Sequence, residues 1–309
     1  MTITQLQYYK TVCDNGNIKT ASQLLHISQP AISNAIRDLE QELRLNLLVR
    51  TPKGTYPTED GRTFLKYTNE FLSQFNRLSE IAKDISNSHN TLSCGVSPMV
   101  GSCVLPQIYN DFHSKYPEID VNITTEKGLF PLYEMLEKNQ LDVLLVPGLE
   151  VPASFEKYII REERLMFCMH YSNPLALHKT LTPADIGNTP LVVLPHGHIQ
   201  YELVHNLFGK YGITPNIFLR TNQLNVIRNF ITAGTAGGFL YESYLAESAD
   251  SDKVVTFDIG MPIIPFSLVW KKGGYLFTSA RKFINSVKEL APSLNSELSG
   301  TVKTAPSPD

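Results

Sequence analysis

The sequence predicts a helical N-terminal domain, one long helix and a C-terminal α/β domain. Three observations support this: two closely spaced helix patterns in residues 18–43, an apolar repeat in residues 58–88, and alternating strand and helix patterns from residue 91 onward. The chain has 309 residues, 42% apolar and 18% charged, which is enough for two or three units with their own cores. It has no run of 18 apolar residues and no leader pattern after Met1, so we expect a cytoplasmic protein that does not enter a membrane.

Two short helices are predicted on either side of a tight corner. A helix pattern in residues 20–25 breaks at His26, and a second helix begins after Ser28, which is a favourable N-cap. One face of the second helix is an apolar stripe of Ile32, Ile36, Leu39 and Leu43. A different face carries Gln29, Pro30, Ser33, Asn34 and Arg37. Such a polar face is typical of a helix that reads the DNA major groove, and an ordinary amphipathic hairpin is the alternative interpretation.

A family resemblance is carried by the same segment. Residues 21–33, with the sequence ASQLLHISQPAIS, resemble the N-terminal signature of the LysR-type transcriptional regulators. Residues 47–51 and 58–61 are similar to the wing of that family and to the start of its linker helix. The resemblance implies that residues 1–58 form a winged helix-turn-helix that binds double-stranded promoter DNA.

The charge of the N-terminal domain makes the position of each cation important. Residues 1–60 contain six basic and six acidic side chains, so they carry no net positive charge to attract DNA. Arg50 and Lys53 lie in a turn that fits a wing touching phosphate or the minor groove, although a turn of this kind can also be a solvated hairpin. The predicted DNA-binding residues are Ser28, Gln29, Pro30, Ser33, Asn34, Arg37, Arg50 and Lys53.

One long helix is predicted after the wing, opened by Thr58 as its N-cap. Its apolar residues recur at alternating spacings of four and three, which is typical of a two-helix coil. These residues are Phe64, Thr68, Phe71, Phe75, Leu78, Ala82 and Ile85. Intramolecular core is the common alternative for such a stripe. The resemblance implies a dimerising linker helix in residues 59–88 and a homodimer or homotetramer, whose paired reading helices address two half-sites.

Strand and helix patterns alternate from residue 91, after a polar break. Strands separated by helices favour parallel pairing in an open α/β sheet. The same patterns place the start of a helix at residues 182–186. The tail, residues 292–309, is rich in Ser, Pro and Thr and is predicted to be disordered.

The resemblance implies a more specific architecture for residues 91–291. They would form a two-lobed, Rossmann-like domain similar to periplasmic binding proteins, and this domain would bind an effector. The chain would cross twice between the lobes, at hinges near residues 159–163 and 262–266. Lobe I would comprise residues 91–160 and 266–291, and lobe II residues 161–265.

Candidate effector residues follow from the strand ends of this domain. In open α/β sheets, small ligands bind beyond the carboxyl ends of the strands, beside helix N-termini. Four loops fit this description: residues 97–102, 126–129, 195–201 and 221–223. The resemblance implies a small effector, often an anion, held by the first and third loops through Ser97, Met99, Ser102, His196, His198 and Gln200. Each of these residues could also be a turn or cap residue, and without an Arg in the loops a neutral metabolite fits as well.

Other chemistries find little support. The four cysteines show no C-x-x-C spacing, and only Cys94 with Cys103 could form a redox pair. His196 and His198 lack further metal ligands nearby, so they do not predict a metal site. Residues 234–238 are rich in glycine, but they follow a predicted helix and not a strand, so they do not predict a dinucleotide-binding loop. Nucleophile-elbow, Walker and zinc-protease motifs do not occur in the sequence. We therefore expect no metal, no cofactor and no enzyme activity; the alternative function is a solute-binding or catalytic α/β protein with an incidental helical N-terminus.

Overall fold

The computed structural model describes residues 1–52, 54–87, 89–126, 128–246 and 251–296. By its internal contacts the chain divides into two units, residues 1–88 and residues 89–309. Each unit has its own apolar core, formed by side chains from several helices or strands.

The first unit contains helices, a hairpin and a long final helix. Its elements are α1 (Ile3–Asn15), α2 (Ile18–Leu25), α3 (Gln29–Leu43), β1 (Leu48–Thr51), β2 (Gly54–Pro57) and α4 (Glu59–Ile85). Helix α2 ends at His26, whose φ of 54° lies in the left-handed region. Helix α3 begins because the Ser28 hydroxyl accepts a hydrogen bond of 3.3 Å from the Ala31 amide. The strands β1 and β2 pair antiparallel as a short hairpin.

The core of the first unit fixes which face of α3 is exposed. Ile32 and Ile36 are buried in a cluster with Val12 and Ala21, while Leu39 packs in a second cluster beneath α1 and α4. The carboxylate of Glu40 accepts hydrogen bonds of 2.7 and 3.0 Å from the amides of Leu47 and Leu48, where the hairpin begins. The polar face of α3 therefore stays outside.

The second unit alternates strands and helices. In chain order its strands and helices are β3 (Thr91–Val96), α5 (Pro98–Lys115), β4 (Asp120–Thr124), α6 (Phe130–Glu137), β5 (Val143–Pro147), β6 (Phe155–His170), β7 (Leu191–Val193), α7 (Ile199–Lys210), β8 (Ile217–Arg220), α8 (Leu224–Thr232), β9 (Gly237–Tyr241), α9 (Glu242–Ala246), β10 (Val254–Phe257), β11 (Ile263–Lys271) and α10 (Thr278–Ser296). Among the described residues the strands follow the order β4-β3-β5-β11-β6-β9-β7-β8, and β10 also pairs with β6.

The long strand β6 changes partners along its length. It pairs with β11 from Phe155 to Arg164 and with β9 from Leu165 to Cys168, while β10 pairs along its last four residues. The register between β6 and β11 shifts at Ile160, which lies inside the first predicted hinge segment, and between Phe266 and Ser267, at the end of the second. Strand β6 thus belongs to both halves of the sheet, one formed with β4, β3, β5 and β11 and the other with β9, β7 and β8. The two halves meet at the middle of β6.

Several details differ from the sequence predictions. Strands β3, β4 and β5 pair parallel as expected, but β6 and β11 pair antiparallel with their neighbours. Residues 182–186 form turns and not a helix. The prediction of disorder from Pro292 is wrong for the first five tail residues, because α10 continues to Ser296 and buries Leu294. Residues 297–309 lie outside the described residues, so the rest of that prediction stays untested.

Candidate functional site

The outer face of α3 presents most of the predicted DNA-binding residues. Gln29, Pro30, Asn34 and Arg37 are exposed, and Ser33 is half-buried. The Nη2 atom of Arg37 donates a hydrogen bond of 2.8 Å to Oδ1 of Asn34. This contact joins two adjacent turns and restrains the guanidinium at the surface of the unit.

A groove joins α3 to the hairpin. Ser33, Arg37 and Arg50 line a space of about 330 Å³, together with Glu40 and apolar residues from α2, α3 and β1. Arg50 lies on β1 and is exposed, whereas Lys53 lies outside the described residues. The structure therefore brings two predicted cations and one predicted hydroxyl to the same groove.

The predicted seam of α4 has two different environments. Thr68 is buried within the first unit, and the neighbouring Leu72 joins a core cluster there. Phe71, Leu78 and Ile85 are 49%, 64% and 72% exposed. The second half of α4 thus carries an apolar face that nothing covers within the described part of this chain.

A small pocket in the second unit contains four of the six predicted effector residues. Its lining is Ser97, Pro98, Met99, Glu126, Gly128, Leu129, Pro147, Leu194, Gly197, His198, Ile199 and Gln200. The free space is about 20 Å³, roughly the room of one water molecule. Sequence reasoning missed Glu126, Leu129, Pro147 and Leu194 as lining residues, although the loop at residues 126–129 was a candidate. Pro147 is the last residue of β5.

The other two predicted residues lie outside this lining. Ser102 is exposed, and its hydroxyl donates 2.9 Å to the carbonyl of Pro98 in the preceding turn of α5. The His196 ring packs 4.0 Å from the ring of Tyr201 and lies 3.7 Å from the carboxylate of Glu202. Both side chains are occupied by local contacts.

Two helix N-termini meet at the pocket. Ser97 is the N-cap of α5, where its hydroxyl accepts from the Val100 amide at 3.4 Å. His198 is the N-cap of α7, but its side chain makes no capping hydrogen bond. Backbone amides at such ends carry partial positive charge. Burial lowers the pKa of His198, which favours the neutral form of its imidazole.

Gln200 supplies a polar atom that is not yet paired. The side chain is 1% exposed, and its Nε2 atom donates to the carbonyl of Phe239 in β9. That contact fixes the orientation of the amide, and Oε1 has no hydrogen-bond partner in the part of the chain that the structure describes. Leaving a buried oxygen without a hydrogen-bond donor costs free energy.

The loops on opposite sides of the pocket touch. A Cβ atom added to Gly128 would lie 3.0 Å from the carbonyl oxygen of Gly197. Both glycines have positive φ, at 94° and 88°, which only glycine adopts easily. This close approach explains why the pocket holds so little free space.

Metal and thiol chemistry finds no arranged site. None of the four cysteines, all within the described ranges, forms a disulfide, and Cys94, Cys103 and Cys168 are buried. Burial raises the pKa of Cys168 to about 12, and that of Cys94 also rises. In the residues that the structure describes, no group of three His, Cys, Asp or Glu side chains could hold a metal ion. No described helix is both long enough and apolar enough to span a bilayer.

A helix-turn-helix with a hairpin wing, followed by an α/β unit with a pocket at its strand ends, defines a DNA-binding protein with a ligand-binding domain. The sequence model described as "Bacterial regulatory helix-turn-helix protein, lysR family" matches residues 3–62, and "LysR substrate binding domain" matches residues 86–292. The chain therefore belongs to the LysR family and is a DNA-binding transcriptional regulator with an effector-binding domain. The predicted family and fold class are confirmed.

Known relatives match over nearly the whole chain. An uncharacterized HTH-type transcriptional regulator, YwbI of Bacillus subtilis, is 28% identical over 294 residues, covering 93% of this chain and 96% of that protein. The HTH-type transcriptional regulator CzcR of Bacillus anthracis is 24% identical, covering 94% and 98%. The match of the N-terminal unit argues against the alternative in which its helices are incidental.

Solved structures show the same fold. Full-length CbnR complexed with its target DNA has a TM-score of 0.69 at 23% identity, covering 94% of this chain and 99% of that chain. Full-length OxyR from Pseudomonas aeruginosa has a TM-score of 0.63 at 19% identity, covering 95% and 97%.

Proposed function

We propose that the outer face of α3 reads the operator and that the hairpin contacts the DNA backbone. The restrained guanidinium of Arg37 and the groove it shares with Ser33 and Arg50 support this assignment. Arginine is suited to a guanine edge, and a wing cation to phosphate. The proposed contact set is Ser28, Gln29, Pro30, Ser33, Asn34, Arg37, Arg50 and Lys53.

We further propose that α4 pairs with its counterpart in a second copy of the chain. Phe71, Leu78 and Ile85 leave an apolar face exposed, and burying such faces drives association. A two-fold axis would then present two α3 helices to an inverted repeat, and two dimers would form the tetramer. The protein would act in the cytoplasm, on double-stranded promoter DNA, without a catalytic step.

We propose that the pocket between the loops at residues 126–129 and 195–201 binds the effector. The single observation that supports this most is the buried, unpartnered Oε1 of Gln200 beside two helix N-termini. Oε1 requires a hydrogen-bond donor, while the helix amides and the Ser97 hydroxyl suit an acceptor. A small polar metabolite that carries both, whether carboxylate or neutral, satisfies the pocket.

Effector binding requires the pocket to open. Because only about 20 Å³ is free, a ligand larger than water must separate the loops that meet at Gly128 and Gly197. A ligand that binds the open arrangement more tightly shifts the population toward it. We propose that this shift is the regulatory signal that changes how paired DNA-binding units engage the promoter.

A thermal-shift screen of the full chain against small carboxylates, amino acids and neutral polar metabolites tests the pocket. A compound that raises the melting temperature of the wild type should lose its effect in Ser97→Ala and Gln200→Ala, while DNA affinity is kept. Ser102→Ala is the matched control, because Ser102 lies on the same helix outside the lining. Equal shifts in Ser97→Ala, Gln200→Ala and the wild type would place the ligand elsewhere.

A further inference from the structure

A buried ion pair lies on the strand shared by both halves of the sheet. Arg161 and Glu163 are 2% and 0% exposed, and Nη2 of Arg161 lies 2.5 Å from Oε1 of Glu163. Removing two charges from water costs more free energy than most such pairs return in stability. The contacts that the pair makes on each side indicate a different role.

On one side, the pair contacts the helix that forms a wall of the pocket. Nη2 of Arg161 also donates to the carbonyl of Cys103, at 3.4 Å. Cys103 lies in α5, and the first turn of that helix carries Ser97 and Met99 into the pocket lining. Because a helix moves nearly as a rigid rod, displacement of its first turn is felt at Cys103.

On the other side, the pair contacts the opposite wall. The amide of Ser243, in α9, donates to Oε2 of Glu163 at 3.4 Å. Helix α9 follows β9 directly, and the Phe239 carbonyl of β9 accepts the hydrogen bond from Gln200 in the pocket lining. A continuous path of contacts therefore runs from one pocket wall to the other through Arg161 and Glu163.

We propose that Arg161 and Glu163 are positioning residues that couple the two walls of the effector pocket, so that movement of either wall is transmitted to the other. This inference rests on the proposed effector site. An alternative partner lies near the pair: Tyr241 Oη is buried without a hydrogen-bond partner in the described ranges, and so is the Nε atom of Arg161 itself. The pair can therefore exchange contacts when the walls separate, as a two-state element must.

The coupling can be measured in the full-length protein without an effector or DNA. The Cys103 thiol is 1% exposed, so N-ethylmaleimide reacts with it only when the surrounding structure opens locally. Peptide mass spectrometry gives its labelling rate, with Cys13 of α1, in the first unit, as an internal reference outside the path. The rates are compared for the wild type, Gln200→Ala, the apolar replacement Arg161→Met with Glu163→Leu, and the combination of all three changes.

If the two pocket walls are coupled, the effects of the substitutions on the Cys103 labelling rate should not be additive. Gln200→Ala should raise the labelling rate of Cys103 about tenfold, and adding it to the apolar replacement should raise the rate no further. Asn206→Ala, an exposed change on α7, should leave the rate unchanged. If the apolar replacement does not fold, Glu163→Gln takes its place in the cycle, because it keeps the shape of the side chain.

Two outcomes would overturn the inference. One is a combined variant in which the fold-increase of the Cys103 labelling rate equals the product of the fold-increases in the separate variants. The other is a Cys103 labelling rate that Gln200→Ala does not change. Neither outcome bears on whether a metabolite binds the pocket, which the thermal-shift screen decides separately.

Discussion

Arg37 donates a hydrogen bond of 2.8 Å from Nη2 to Oδ1 of Asn34, three residues earlier on the outer face of α3. Both side chains are exposed, and Asn34 thereby limits the directions that the guanidinium can take. Ordering a free arginine at an interface costs conformational entropy. A side chain that is already restrained loses less, so this contact would favour the base-reading role that we propose for Arg37.

Replacing Arg37 with Ala should weaken binding to the operator by about 1 to 3 kcal/mol, because a bidentate arginine–guanine contact is lost. The measurement is fluorescence anisotropy with a duplex that the wild type selects from a randomised pool. Arg281→Ala is the control, because it removes the same charge from an exposed position in the second unit. Equal affinities for the two variants would remove Arg37 from the base-reading set.

Replacing Leu78 with Glu should dissociate the proposed dimer. Leu78 is 64% exposed on the apolar face of α4, and a carboxylate there would be buried against the α4 helix of the second copy, at a cost in free energy. Light scattering coupled to gel filtration, at low micromolar protein, should show the mass of one chain. Asn76→Glu places the same charge on another face of α4 and should leave the dimer intact. A Leu78→Glu variant that keeps the dimer mass would rule out this face as the interface.

Two glycine substitutions should change stability in opposite directions. A Cβ atom at Gly61 would lie 2.0 Å from the carbonyl oxygen of Leu47, so Gly61→Ala should lower the free energy of unfolding by about 1 to 3 kcal/mol or more. Nothing lies within 4 Å of a Cβ at Gly209 on α7, so Gly209→Ala should raise the free energy of unfolding by about 0.5 to 1 kcal/mol. Urea denaturation of both variants measures the difference. A stable Gly61→Ala protein would mean that α4 does not approach the hairpin so closely.

The carboxylate of Asp111 should make stability depend on acid pH. Burial alone would raise the pKa of Asp111, but hydrogen bonds from Ser286 at 2.6 Å and Lys115 at 2.9 Å outweigh it, and the pKa is lowered. A carboxyl whose pKa is lower in the folded state stabilises the fold above its unfolded pKa. That stabilisation is lost as pH falls through the lower, folded value.

Asp111→Asn should therefore cost about 1 kcal/mol of unfolding free energy at pH 7 and progressively less below about pH 4. Urea denaturation across pH 3 to 7 measures this dependence. Asp120→Asn, at an exposed position of β4, should change stability by less than about 0.5 kcal/mol at any of these pH values. A cost for Asp111→Asn that did not change with pH would show that the charge is not the source of the stabilisation.

Local patterns were sufficient to predict α3 and the loops of the pocket. The hydroxyl of Ser28 and the spacing of Ile32, Ile36 and Leu39 act over a few residues, so the start and the buried face of the helix can be inferred from sequence. The loops that contain Ser97 and Gln200 were candidates because ligands bind beyond strand ends in this class of sheet, and the family resemblance implied the effector role that we propose for both residues. The proposed reading face and most of the proposed pocket thus follow from short-range chemistry.

Contacts between distant segments decided the rest. Strand β9 begins with Gly237 and Gly238, which give no apolar alternation, and it is defined by its pairing with β6 and β7. Side chains of Phe167 and Ile227 occupy the space beside these two glycines, where an added Cβ would lie 2.9 Å from them. The Arg161–Glu163 pair could not be recognised, because its partners come from α5 and α9, up to 80 residues away. The sequence by itself determined the family, the start and buried face of α3, and most of the alternating strands and helices of the second unit. Only tertiary structure decided which pocket residues converge and how its walls are joined, because burial and pairing across the sheet depend on contacts that no local pattern records.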